Sequence, residues 1–283
     1  MPRHWRWLVP YLFLIPGGLW LLAFFVVPML VMASVSLQEG SLGTGYALTW
    51  NFGVYPEMIA EWAPQFERSL WYSIVVTVLT LAVGYPMAYT IAFRGGRYKS
   101  ILLLLVILPF FTAYIIRTLS WKLILADNGV VLGNLKDIGL LDDGFRIIAT
   151  PVAVISGLTY NFLPFMVLPL YVALEKIDPK LVEAATDLYA SRLQAFLRVT
   201  LPLSMPGVFA GSLLTFIPAV GDFINSEILG SRDTTMIGQV IQRLFLNNNA
   251  YPEAAALGFM LMAAVLALVF MYARFVGADE LTR

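Results

Sequence analysis

The stretch Asp178–Gly207 reads D-P-K-L-V-E-A-A-T-D-L-Y-A-S-R-L-Q-A-F-L-R-V-T-L-P-L-S-M-P-G and interrupts a chain otherwise dominated by long apolar runs. It carries its own helix punctuation. Asp178 followed by Pro179 pairs an N-cap residue with a first-turn residue. Leu181, Val182, Ala185, Leu188 and Tyr189 then recur on one side at helical spacing. Ser191 and Gln194 stand three residues apart, the spacing of a capping box, and predict a second helix start. That second helix is expected to run through Phe196 and Val199 and to end at Pro202. Two short amphipathic helices joined by a sharp turn, held between apolar spans, read as a docking surface rather than a linker.

The composition agrees with a membrane setting. The chain has 283 residues, of which 59% are hydrophobic and 13% charged, against about 25% charged in soluble domains. Net charge is zero, so nothing points to nucleic acid. Without cysteine there is no disulfide or thiol chemistry, and the single histidine, His4, excludes a histidine-based metal site or triad.

Read in order, Leu8–Leu37 is free of charge and too long for a secretory signal core of about 7–15 residues. It predicts a first transmembrane helix, although Ala33, Ser34 and Ser36 have the small side chains of a cleavage site. Gln38–Arg68 is polar and carries Trp50, Phe52, Tyr55 and Trp62, and is expected to be an external loop. Ser69–Phe93, a span that begins with Ile101–Ile116 and has Arg117 and Lys122 toward its far end, Ile147–Leu174, Pro202–Gly221 and Ala254–Ala273 are the next five expected spans. A basic turn, Arg94–Lys99, and polar stretches at Ala126–Arg146 and Asp222–Glu253 separate them. The fold class is therefore all-α integral membrane, with six transmembrane helices.

Six spans put both termini on the side of the Arg94–Lys99 turn and of the loop at Asp178. That side holds 11 of the 18 Lys and Arg residues: Arg3, Arg6, Arg94, Arg97, Lys99, Lys176, Lys180, Arg192, Arg198, Arg274 and Arg283. The positive-inside rule makes it the cytoplasmic side.

The residues Glu183-Ala184-Ala185, three residues, a turn position at Tyr189, nine residues, and Val199-x-Leu201-Pro202 resemble the EAA loop of permease subunits of ATP-binding-cassette importers. The resemblance implies a cytoplasmic two-helix coupling loop between spans four and five, seated in a cleft of an ATPase subunit. Glu183, Ala184, Ala185, Asp187, Leu188, Tyr189, Ala190 and Ser191 would then be the ATPase-coupling residues. The turn position is usually glycine in that family; here it is Tyr189. On this reading 1–68 is an N-terminal helix with its external loop, 69–276 the core permease domain, and 277–283 a cytoplasmic tail.

The chain carries no phosphate-binding G-x-x-x-x-G-K-[ST] loop, no G-x-S-x-G and no H-E-x-x-H. No enzyme is expected in it. A secondary transporter would favour acids within the spans and an inverted repeat, and neither is seen. Candidates for a translocation path are Tyr160 and Asn161 in span four, Arg117 and Trp121 near the end of span three, and Asp222 and Glu227 after span five. Thr159 and Asn161 read equally as bonds between helices. Arg117 reads as an interfacial anchor or as a partner of Asp222 in a gate, its charge costing about 2.5–3.5 kcal/mol at a span centre and less near the end. Trp121, Tyr160 and Phe162 offer cation–π faces to a cationic solute.

The run Phe216–Gly230, F-I-P-A-V-G-D-F-I-N-S-E-I-L-G, with M-I-G-Q-V-I-Q at Met236–Gln242 and D-L-Y-A-S in the loop, is similar to the permeases of spermidine/putrescine importers, the PotB type. Related permeases for ferric iron, sulfate or phosphonate share the scaffold. The resemblance implies a polyamine importer of the bacterial inner membrane working by alternating access. Its partners would be a second, non-identical (PotC-like) permease, an ATPase homodimer, an external substrate-binding protein and membrane lipid, with no nucleic acid. This chain would hold no cofactor, ATP and Mg residing on the ATPase subunits.

Overall fold

The computed structural model describes residues 5–276, with side chains from 13 to 274. Arg3, His4 and the tail 277–283 lie outside the described residues. Helix α1 (Trp5–Leu21) passes through a wide π-type turn, Leu22–Val26, into α2 (Val27–Ser36). A hairpin of β1 (Gln38–Ser41) and β2 (Gly45–Leu48) follows. Then come α3 (Val54–Arg94), α4 (Lys99–Ile107), α5 (Tyr114–Leu125), α6 (Leu132–Asp137) and α7 (Pro151–Glu175). The remainder is α8 (Pro179–Asp187), α9 (Arg192–Ala195), α10 (Leu201–Val220), α11 (Ile224–Leu229), α12 (Ile237–Leu246) and α13 (Tyr251–Val276). Five helical stretches are long and apolar enough to cross a membrane: Phe13–Ser36, Val54–Arg94, Pro151–Glu175, Arg192–Val220 and Tyr251–Arg274. The pair Gly96–Phe111 and Tyr114–Leu125, bent by 95°, meets the same criterion only when taken together, as a broken span or a re-entrant loop.

Three sequence expectations change. The third span, expected to begin with Ile101–Ile116 and to carry Arg117 and Lys122 toward its far end, is broken. Pro109 has no amide hydrogen to continue the ladder, and the chain is extended at Thr112 and Ala113, with ψ of 141° and 139°. The polar stretch expected to be loop as far as Arg68 is helical from Val54, so that α3 reaches 41 residues. Glu57 lies in its first turn, where a negative charge favours the helix N-terminus. Nor does Pro202 end a helix. A π-type turn at Phe196–Thr200 joins α9 to α10, and Pro202 falls in the first turn of α10. The helix runs on through it: the Leu201 amide donates to the Phe196 carbonyl in the π-type turn, and a wide turn of this kind is one place where a helix accommodates a missing amide.

Contacts divide the chain into two compact units, one formed by the residues up to Ala63 with Ile241–Ala263, the other by Pro64–Val240 with the chain from Ala264. In the first unit β1 and β2 pair antiparallel, Gln38 opposite Leu48 and Ser41 opposite Gly45. Gly40 adopts φ +140° and a Cβ there would lie 1.9 Å from the Gly45 carbonyl oxygen, so the hairpin needs glycine at this point. The hairpin is tied down by Tyr46, whose hydroxyl donates to the Asn249 carbonyl and whose ring lies 5.4 Å from that of Tyr251. Ser36, buried at the end of α2, shares a 2.8 Å hydrogen bond with the Tyr55 hydroxyl.

The second unit is built around α7. Leu158, Met166, Leu170 and Leu174 on this helix are fully buried. Lipid is as apolar as leucine, so close packing rather than water exclusion must hold such helices together. Gly207 and Gly211 of α10, four residues apart, supply it. A Cβ on Gly207 would lie 2.5 Å from Ala173 Cβ and 2.8 Å from the Pro169 carbonyl oxygen. A Cβ on Gly211 would lie 2.8 Å from Met166 Sδ. The two backbones therefore approach where side chains are absent.

Candidate functional site

Two places in the second unit reverse the usual order of polarity. One is the hairpin of α8 and α9, where backbone groups are satisfied locally and apolar side chains are left outside. Asp178 accepts from the Lys180 amide at 3.0 Å and caps α8. At the other end of α8, the Tyr189 amide donates to the Thr186 carbonyl at 3.0 Å and the Ala190 amide to the Ala185 carbonyl at 3.1 Å. This pair of bonds is a Schellman ending, and it places its left-handed residue at Tyr189, with φ +61°. Ser191 and Gln194 then form the expected reciprocal capping box, at 3.3 and 2.8 Å. Leu188 is 82% exposed and Tyr189 98%, and Leu193 and Glu183 also face outward. Behind the hairpin, a cleft of 780 Å³ runs between α7 and α10, with Ile177, Leu181, Leu203 and Gly207 among its walls.

The other place is a buried polar network where α5, α7 and α11 meet. Tyr114 donates from its hydroxyl to Asp222 Oδ2 at 2.6 Å and accepts from Asn225 Nδ2 at 2.6 Å. Asp222 Oδ1 accepts from the Asn225 backbone amide at 2.8 Å, at the start of α11. Asn161 Nδ2 donates to Asn225 Oδ1 and to Thr118 Oγ1, each at 3.2 Å. Asp222 lies beyond the end of the Arg192–Val220 span. Burial raises its carboxyl above the ordinary carboxylate range, and the bonds from Tyr114 and Asn225 pull it back. The glycines of the Phe216–Gln242 run make room for this arrangement. A Cβ on Gly238 would lie 2.3 Å from the Gly221 carbonyl oxygen, and one on Gly230 2.5 Å from that of Ser226. Ser69 Oγ accepts from the Ile237 amide at 2.7 Å, and Arg68 donates to the Thr235 carbonyl at 2.8 Å, pinning the start of α12.

The path candidates are distributed unevenly around this network. Asn161 and Asp222 belong to it. Arg117 is buried, but no ion pair among the described residues joins it to Asp222. Its guanidinium instead lies 4.8 Å from the Phe110 ring centre and 5.5 Å from that of Tyr114. Trp121 stacks on Tyr160 with ring planes 2° apart and centres 5.2 Å apart, and donates to Ser156 at 3.3 Å. Glu227 is exposed and accepts from Gln239 Nε2. Sequence reasoning missed Tyr114, Thr118 and Asn225. Tyr114 and Thr118 are four apart on one face of α5, a pattern that was visible. Asn225 gave no signal until α11 folded back against α5 and α7.

The family profile described as "Binding-protein-dependent transport system inner membrane component" matches residues 81–278. The spermidine/putrescine transport system permease protein PotB of Haemophilus influenzae is 38% identical over 265 residues, covering 90% of each chain. The protein of the same description from Escherichia coli is 36% identical over 256 residues, covering 90% of this chain and 93% of its own. Among solved structures, a chain of a bacterial ABC transporter importing alginate superposes with a TM-score of 0.73 at 22% identity, over 99% of this chain and 100% of that one, a likeness of fold. Matched over most of its length by both profile and relatives, the chain belongs to the family of binding-protein-dependent transport system inner membrane components.

Proposed function

We propose that the chain is one permease subunit of an importer powered by ATP hydrolysis on other polypeptides, and that its cargo is a polyamine such as spermidine or putrescine. The observation that carries the importer reading is the α8–α9 hairpin, which is internally capped at every turn yet leaves Leu188, Tyr189 and Leu193 without cover. Such a surface is rigid before its partner arrives, which lowers the ordering cost of docking. An ATPase homodimer is the partner, holding the nucleotide and its magnesium. A second, non-identical permease and an external binding protein complete the assembly. Both termini and the hairpin face the cytoplasm.

The transmission route follows from the helices. The stretch Arg192–Val220 is helical throughout its 29 residues, a rod of about 43 Å at 1.5 Å per residue. One end is the capping box of the hairpin; the other stops two residues before Asp222. Movement of the hairpin therefore arrives at the Tyr114–Asp222–Asn225 network, and the packing of Gly207 and Gly211 carries α7 along. Alternating access is the repacking of these two helices around the network. The polyamine assignment draws on the descriptions of the Haemophilus and Escherichia relatives. Asp222, the only buried acid among the described residues, is a suitable chemical counterpart for an amine.

The test is Glu183→Lys in the assembled complex, which places positive charge on the docking face. ATP-dependent uptake of labelled spermidine should fall at least about tenfold, the effect of 1.4 kcal/mol, at normal abundance of every subunit. Normal uptake contradicts the coupling assignment. If the unsubstituted complex imports a different solute, with spermidine and putrescine neither competing nor stimulating ATP hydrolysis, the cargo assignment alone fails.

A further inference from the structure

A groove of 470 Å³ lies between α3 and α4, walled by Pro86, Thr90, Ile91, Leu102, Leu105 and Val106. The surface around it remains apolar toward the outside, since Ile101, Leu104 and Leu105 are exposed. Both helices cross or enter the apolar zone, so an occupant from the membrane reaches the groove without crossing water. One helical turn beyond Thr90 and Ile91, α3 ends at Arg94 and the chain reverses through Gly95 and Gly96 into α4. The turn closes tightly. A Cβ on Gly95 would lie 2.4 Å from the Ile91 carbonyl oxygen and 2.9 Å from Lys99 Cγ, so the basic segment turns back against Ile91, a wall residue at the end of the groove.

The charges of this turn are not equivalent. Lys99 is committed, donating to both carboxylate oxygens of Glu175 at 2.8 and 2.9 Å. Arg94 and Arg97 are exposed and form no ion pair among the described residues. Arg97 lies 4.8 Å from the ring centre of the exposed Tyr98 and donates to its hydroxyl at 2.6 Å. That contact orients a guanidinium without neutralising it. Two guanidinium groups with no carboxylate partner among the described residues, in the turn that follows one wall of an apolar groove and beside an aromatic residue of the kind that settles at membrane interfaces, match one chemistry. The anion is a phosphate and the apolar portion a fatty-acyl chain.

We propose that the α3–α4 groove and the Arg94–Arg97 turn together bind an anionic phospholipid, with the headgroup phosphate at the two arginines and one acyl chain between Thr90 and Leu105. The inference shares with the proposed function only that α3 and α4 lie in a membrane. It does not depend on the cargo or on the coupling hairpin.

The experiment is native mass spectrometry of the assembled complex, released from nanodiscs of phosphatidylglycerol mixed with phosphatidylcholine. The complex carrying the unsubstituted chain retains phosphatidylglycerol in preference to phosphatidylcholine. The double variant R94Q/R97Q should bind phosphatidylglycerol roughly 25-fold more weakly, two surface arginines each contributing about a factor of five. Thr90→Trp, which fills the groove without changing charge, should also lower its retention. The control K176Q/K180Q, which removes two charges elsewhere on the same side, should leave it unchanged. Equal retention by R94Q/R97Q and the unsubstituted chain overturns the proposal, as does an equal loss in K176Q/K180Q. A crosslinker at Thr90 or Leu105 that captures the second permease subunit, with no lipid retained, assigns the groove to a protein interface and overturns it too. Spermidine uptake is read in parallel, so failure of the lipid site and failure of the cargo assignment remain distinguishable.

Discussion

The α8–α9 hairpin and the α5–α7–α11 network use opposite surfaces for their work. In the hairpin every backbone end is capped, yet its largest apolar side chains point away from the protein. In the network, polar side chains from three helices are buried and answer one another at 2.6–3.2 Å. Burying apolar groups and exposing polar ones would be the cheaper arrangement in both places. The difference teaches where each region finds its missing partner. The network draws its partners from within the chain and holds three helices in register, with Asn161 Oδ1 its one buried side-chain atom left without a hydrogen bond among the described residues. The hairpin is capped in its backbone and leaves Leu188, Tyr189 and Leu193 exposed, which is why the proposed function gives it a partner in another molecule.

The comparison breaks first at the contact that joins the two regions. Gly207→Leu should force α7 and α10 apart, because even a Cβ would lie 2.8 Å from a backbone carbonyl oxygen. Overpacking of this kind costs about 3 kcal/mol or more, and the melting temperature of the purified protein in detergent should fall accordingly. An unchanged melting temperature would mean that the helices do not depend on this close approach.

A smaller loss is expected inside the network. Asn225→Ala removes a donor to Tyr114 and the acceptor for Asn161 together. Buried partners left unsatisfied cost about 1–3 kcal/mol. The expected destabilisation is about 2 kcal/mol in the same melting assay, with the coupling hairpin still able to bind ATPase. Loss of ATPase binding without loss of stability would reverse the roles assigned to the two regions.

The smallest effect has the opposite sign. Tyr189 holds φ +61° in the Schellman turn, a conformation that costs an L-residue roughly 1 kcal/mol. Tyr189→Gly should therefore stabilise the turn by about that amount, read as about fivefold slower amide exchange at Tyr189 and Ala190. Faster exchange would show that the tyrosine side chain, though 98% exposed, stabilises the turn in some other way.

Local rules read the hairpin well. Asp178, the Ser191–Gln194 capping box and the turn at Tyr189 depend on residues within five positions of one another, and each has its expected place. The spans were legible for the same reason, since charge-free runs of sufficient length have few alternatives in a membrane. The break after Pro109 was open to the same local reading, because the residue itself announces a missing donor. The continuity through Pro202 was not, because it depends on a π-type turn one residue register wider than a helix rule assumes. Least legible were Asn225, Gly207 and Gly238. Their roles come from approaches by Asn161, Pro169 and Gly221, which only the folded chain brings near. Arg117 and Asp222 were singled out for their charge, but charge alone did not reveal that Tyr114 and the aromatic rings would take up the interactions expected between them.

Under the proposed function, the exposed crest of the hairpin is seized from inside the cell by an ATPase. The chain has no cysteine, so Leu188→Cys introduces a single thiol at that crest. Labelling with a membrane-impermeant maleimide measures which side it faces and whether it is covered. Labelling is expected in inside-out vesicles stripped of ATPase, with protection when ATPase is added back and none in intact right-side-out cells. Labelling from the outside of intact cells, or a thiol equally reactive with and without the ATPase, would contradict that function.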